Sequence, residues 1–161
     1  VWTPPAEWLG EAGPDFPLHL ITHQPANRLH SQLDHGAHSR AGKIAGRTPV
    51  TMHPDDAARR GLSDGDVVRV FNTRGACLGG LRLDDGIRPG VIGMETGAWF
   101  DPSRDEPGLC RNGNPNVLTA DRPTSVIAQG PAAQTCLVEV RAAGPDAPRP
   151  DAYTPPVLDR A

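Results

Sequence analysis

Apolar residues along this chain fall in short runs broken by Gly, Pro, Asp and Asn. That rhythm is the mark of brief strands joined by tight turns. Leu18 to Thr22 predicts a buried strand, Pro49 to Met52 another, and the Val-rich alternation of Asp66 to Phe71 a third. Asn72-Thr73-Arg74-Gly75 predicts a hairpin turn with Gly75 available for positive φ, after which Ala76 to Leu83 returns as the partner strand. Gly79 and Gly80 within it mark a bulge or a close approach of another backbone. Val91 to Glu95 and Thr135 to Arg141 complete the strands. A short helix is predicted over His53 to Gly61. Pro54 suits its first position, Asp55 and Asp56 match the positive end of the dipole, and Arg59 and Arg60 match the negative end. Gly61 suits the left-handed residue after the last turn, and His53 reads as a cap-region residue.

Many short strands and abundant turns predict a mainly β, barrel-like domain over residues 17–141. Residues 1–16, with Pro4, Pro5, Gly10, Gly13 and Pro14, read as a linker or a remnant of an upstream domain. Residues 142–161 are rich in Pro, Ala and Asp and read as a mobile tail. Between the first two strands, His23 to Gly46 is long, polar and without period, which fits a ligand-binding loop; over His35 to Gly46 plain disorder competes with that.

Composition narrows the function. The net charge of −3, with no basic stripe interleaved with aromatics, excludes a nucleic-acid surface. No apolar run approaches a membrane span and no signal-peptide pattern opens the chain. The first residue is Val1 rather than Met, which reads as a fragment or a processed chain and leaves the compartment, cytoplasm or periplasm, open. Cys77, Cys110 and Cys136 are far apart and lack metal-ligand spacing, so they read as small buried thiols. His30, His35 and His38 would share a face only on a helix, and Gly36 with the absence of apolar periodicity argues against one; no metal site is expected. No local motif for nucleophilic catalysis appears.

Two polar segments remain, Asn27 to Gly36 and Asn116 to Gly130. Gln24, Asn116, Gln129 and Gln134 can each donate and accept, Ser31 with Thr124 or Ser125 supplies hydroxyls, and Arg28 and His30 can add charge-assisted bonds. Together "NRLHSQLDHG", "MHPDDAARRGLSDGDVVRVFNTRG", "RPGVIGMETGAWFDP" and "NVLTADRPTSVIAQG" resemble, in order, the C-terminal domain of the dimethyl sulfoxide reductase superfamily, from about Pro17 to Val140. The resemblance implies a double-psi β-barrel that holds molybdopterin guanine dinucleotide. It implies cofactor contacts from Gln24, from Arg28, Leu29, His30, Ser31 and Gln32, and from Asn116, Gln129 and Gln134. Many relatives carry His where Gln24 precedes Pro25. The Trp99-Phe100-Asp101-Pro102 turn matches a family loop and reads equally as an aromatic core plug. "LHSQLD" and "DRPTSVIAQG" resemble the branch that reduces S-oxides and N-oxides. In the family the molybdenum ligand lies in an upstream domain, so those domains are the implied partners and this chain alone should lack turnover. A stand-alone barrel serving as an interaction or adaptor module competes, but it gives no reason for two polar segments to converge. A self-processing decarboxylase would need a Gly-Ser pair, and the chain has none.

Overall fold

Alternation becomes burial along β1 (Leu18–His23), where Leu18, Leu20 and Thr22 face the core and Ile21 and His23 face out. The same period buries Val68 and Val70 of β3 (Val67–Phe71) and Cys136, Val138 and Val140 of β7 (Thr135–Ala142). A computed structural model describes residues 4–132, 134–155 and 158. In it these strands join β2 (Pro49–Met52), β4 (Ala76–Leu83) and β5 (Val91–Glu95) in the order β2-β5-β1-β7-β3-β4, and β4 pairs back to β2, closing the barrel. A two-residue strand, β6 (Leu109–Cys110), lies along β4 outside the ring.

β1 pairs with β5, and β2 with β4, in parallel, whereas the other pairs in the ring are antiparallel. Parallel neighbours cannot be joined by a tight turn, so their connections cross the barrel, as the double-psi arrangement requires. The crossing brings main chains together at the two glycines of β4. A Cβ on Gly79 would lie 3.0 Å from the carbonyl oxygen of Thr48, and one on Gly80 would lie 2.7 Å from that of Ile44. The close approach predicted for this pair is therefore what the fold uses.

The helix α2 (Pro54–Ala58) follows its punctuation: the His53 ring accepts from Asp55 N–H at 3.1 Å and Gly61 takes φ +64°. Asp56 does more than match the dipole. It is buried, pairs with Arg59, and accepts the Gly90 N–H at 2.7 Å, tying the helix to the turn before β5. The cysteines are buried and free, and burial pushes the Cys136 thiol up to about 11 and that of Cys77 well above its usual value, which makes both poor nucleophiles.

Two expectations need correction, and both ends of the domain make contacts that composition does not reveal. Gly75 is needed for space, not for positive φ: a Cβ there would lie 2.9 Å from the carbonyl oxygens of both Gly108 and Val117. The loop after β1 contains a short helix, α1 (Ala37–Ala41), where none was expected; Gly36 precedes it, and the buried Ser39 anchors it through Asn27 and Arg28. The segment before β1, read as a linker or a remnant of an upstream domain, contacts the barrel. Glu7 pairs with Arg74 at 2.7 Å and accepts from Leu137 N–H at 3.0 Å. Burial alone would raise its pKa, but the hydrogen bonds from Arg74 and Leu137 N–H and the charges of Arg74 and Arg122 together outweigh that and hold the carboxyl low. The Pro-rich tail, finally, lies on the barrel as far as Tyr153. Pro148 carbonyl accepts from Arg47 at 2.7 Å, Asp151 N–H donates to Asp101 at 2.8 Å, and Tyr153 OH donates to Asp34 at 2.6 Å. The tail buries little apolar surface; a few long-range hydrogen bonds hold it, which composition does not reveal. Deleting residues 145–161 is accordingly expected to lower the melting temperature by on the order of 5 °C, measured by calorimetry; an unchanged melting temperature would show that these bonds contribute nothing.

Candidate functional site

The parallel register of β1 and β5 places His23 opposite Glu95, so the loops that follow the two strands leave side by side. Thr96 N–H donates to His23 carbonyl at 2.8 Å, which fixes their start. At Gly97, φ +85°, the second loop passes so close that a Cβ would lie 2.0 Å from the His30 carbonyl oxygen. A third loop arrives at the 3-10 turn Pro115–Val117. Asn114 caps this turn, accepting from Asn116 N–H at 2.9 Å, and its amide donates to Ala98 carbonyl at 2.9 Å. Three loops distant in sequence thus meet around a cleft of about 530 Å³, bordered among others by Gln24, His30, Ser31, Trp99, Asn114 and Asn116.

The chemistry of that lining is specific. The side chains of Gln24, His30, Ser31 and Asn116 make no hydrogen bond to any described residue, so their donors and acceptors are all available to a ligand. Trp99 and Phe100 are 36% and 57% exposed and also border the cleft, which sets aside the core-plug reading of their turn. The indole N–H of Trp99 donates to Ser31 carbonyl at 2.8 Å, and His35 packs against its ring at 5.0 Å. Neutral amides, a hydroxyl, an imidazole and an open aromatic face suit a polar heterocycle carrying a nucleotide, and that donor set fits a pterin dinucleotide.

Beneath the first loop lies a buried charge cluster. Arg28 donates to Thr96 carbonyl at 2.8 Å and to Glu95 at 3.2 Å. Asp34 is fully buried and faces Lys43 at 3.1 Å and Arg28 at 3.5 Å. Its carboxylate also accepts from Trp99 N–H at 3.0 Å and from Tyr153 OH at 2.6 Å. Burial alone would raise the Asp34 pKa; the Tyr153, Trp99 and Lys43 contacts outweigh it and hold the group below its ordinary value. Burial pulls the Lys43 amine down despite Asp34, and burial together with the Asp34 hydrogen bond pushes the Tyr153 phenol far up. The cluster is internal support; sequence reading singled out only Arg28 from it, and as a cofactor contact. A second cleft of about 510 Å³, between α1 and the tail, touches the same Lys43 and Tyr153. Because Lys43 is already paired with Asp34, we place the functional site at the first cleft.

Of the residues expected to contact cofactor, the structure brings Gln24, His30, Ser31 and Asn116 together. Arg28 lies below the cleft floor with its guanidinium engaged, while Leu29 and Gln32 are exposed on the loop beside it. Gln129 sits in an arm closed by a Pro123–Pro131 bridge, its amide donating to Val126 carbonyl at 2.7 Å. Gln134 stands just before β7, its carbonyl accepting from Thr22 N–H at 3.0 Å. Neither borders the cleft. Among the described residues no group of three or more His, Cys, Asp and Glu is placed to hold a metal ion, and no helix is long and apolar enough to cross a membrane.

The sequence profile of the "Molydopterin dinucleotide binding domain" matches residues 18–137, which covers all three cleft loops. The chain belongs to that family. Its closed barrel matches a domain of acetylene hydratase from Pelobacter acetylenicus with a TM-score of 0.70 at 17% identity, over 88% of this chain and 21% of that one, which shows a shared fold. In sequence it is 51% identical to biotin sulfoxide reductase from Cereibacter sphaeroides over 91% of its own length. It is 48% identical to dimethyl sulfoxide/trimethylamine N-oxide reductase from Rhodobacter capsulatus over 86% of its length. The chain spans 19% and 17% of those two proteins. The barrel fold and the molybdopterin dinucleotide class that its motifs imply both hold, and the relatives are reductases in which this chain corresponds to one domain.

Proposed function

We propose that this domain forms one wall of the cofactor site in a molybdenum enzyme that reduces S-oxides or N-oxides, with further domains of the same polypeptide covering the cofactor's other face. The observation that carries it is the convergence of Gln24, His30, Ser31 and Asn116, whose side chains bond to none of the described residues, beside an exposed Trp99. When bound, molybdopterin guanine dinucleotide supplies a molybdenum centre able to take an oxygen atom from an oxide while two electrons and two protons arrive. The residues of this chain bind and orient. Gln24 and Asn116 can each donate to and accept from amide-like heterocycle edges, His30 and Ser31 add further hydrogen-bonding groups, and Trp99 and Phe100 limit water at the cleft. Gln129 and Gln134 are proposed to meet the part of the dinucleotide that extends beyond the cleft, and Leu29 and Gln32 to lie along its edge. The names of the relatives, sulfoxide and N-oxide reductases, support the substrate class.

Asn116→Ala in the full-length protein removes one bidentate partner and is expected to lower bound molybdenum and releasable guanine nucleotide several-fold, measured by metal analysis and by chromatography after acid release. Unchanged contents of both would remove the cleft from cofactor binding. Failure of the loaded protein to reduce any of biotin sulfoxide, dimethyl sulfoxide or trimethylamine N-oxide would reject the substrate class alone.

A further inference from the structure

We propose that Tyr153, on the C-terminal segment, is a positioning residue for the cofactor: it holds Trp99, a wall of the cleft, from behind. The inference rests on the cofactor reading above and goes beyond it, because Tyr153 itself does not border that cleft.

Both polar groups of the Trp99 main chain are held by residues that Tyr153 touches. Tyr153 OH donates to Asp34 Oδ2 at 2.6 Å, and the same oxygen accepts from Trp99 N–H at 3.0 Å. The phenol also lies 3.2 Å from Asn112 Oδ1, and Asn112 Nδ2 donates to Trp99 carbonyl at 3.0 Å. The two rings meet at 5.8 Å between centroids with a 56° tilt. From Trp99 the connection continues to the cleft, since its indole N–H donates to Ser31 carbonyl at 2.8 Å and Ser31 borders the cleft. One phenol thus fixes the height of Trp99, its ring direction and, through it, the Ser31 side of the site. Held on three sides, an aromatic wall can keep a bound heterocycle in one orientation where a free loop could not. Tyr153 is the chain's single tyrosine and sits in a Pro- and Asp-rich stretch, tied to the barrel through its hydroxyl.

The test uses the full-length, cofactor-loaded enzyme. Tyr153→Phe keeps the ring and removes the hydroxyl. Its rate of molybdenum and guanine loss in mild urea is expected to rise on the order of fivefold. The visible circular dichroism of the retained cofactor, normalised to molybdenum, is expected to change. A buried core variant that does not border the cleft, Leu81→Ala, serves as the stability control and is expected to leave the normalised spectrum unaltered. In a Trp99→Leu background Tyr153→Phe is expected to have little further effect, because the route through the indole is gone. The proposal is overturned if Tyr153→Phe shifts only the melting temperature with an unchanged spectrum, or if its effect on cofactor loss adds fully to that of Trp99→Leu. Asn116→Ala separates the two levels: if it sheds cofactor while Tyr153→Phe does not, the positioning role fails and the cofactor cleft stands.

Discussion

Asp34→Asn is expected to destabilise the chain by about 3–5 kcal/mol, the cost of leaving buried cations without their partner, read as a fall in melting temperature of roughly 10 °C. Asp34 is fully buried, and the side chains of Arg28 and Lys43 facing it are 1% and 2% exposed. Glu95 can still face Arg28 at 3.2 Å, but the Lys43 amine loses its nearest carboxylate. The asparagine keeps the volume but turns one of the two accepting oxygens into a donor, so the loss reports the missing charge together with a lost acceptor. Asp34→Asn combined with Lys43→Met removes both members of the pair and should recover a large part of the stability; a double variant as unstable as the single one would refute the electrostatic account. The same pair predicts acid behaviour. Because the folded-state pKa of Asp34 lies below its ordinary 3.8, its contribution is present above that value and is lost as pH falls through the lower folded-state pKa. The wild type should therefore lose stability more steeply below about pH 4 than Asp34→Asn does, measured by urea midpoints across that range.

The six strands of the ring were legible because each short apolar run meets a turn residue within a few positions, whereas the two-residue β6 was not foreseen. Four side chains of the cleft were legible through the family resemblance, and the structure adds the reason they converge: the parallel register of β1 with β5. Arg28 illustrates the limit. It stands in the contact segment next to His30 and Ser31, yet its guanidinium turns inward to Glu95 and Thr96, a choice set by residues far along the chain. Tyr153 illustrates it more strongly, since its partner Asp34 is 119 positions away and nothing in a Pro-rich tail marks one aromatic as anchored. Asn114 carried a local signal that went unused: an Asn before Pro115 can cap a 3-10 turn, and this cap places Asn116 at the cleft.

Gly97→Ala should damage the cleft more than any other single methyl group. Gly97 has φ +85°, and a Cβ there would sit 2.0 Å from the His30 carbonyl oxygen and 3.0 Å from Ser31 N. Both are main-chain atoms, so no rotamer can relieve the overlap; the His30–Ser31 peptide has to move. The left-handed backbone alone costs an alanine about 1–2 kcal/mol, and the collision adds roughly 1–3 kcal/mol more. Gly65 provides the matched control. It has φ +87° with open space where a Cβ would stand, so Gly65→Ala carries the backbone cost without the collision. Gly97→Ala is therefore expected to lower the melting temperature further than Gly65→Ala, and in the full-length protein to reduce bound molybdenum and guanine nucleotide at least several-fold where Gly65→Ala leaves them near wild type. Equal cofactor contents in the two variants would mean that the His30–Ser31 peptide can shift without consequence for the ligand, and that the close packing of the first two loops is not what shapes the site.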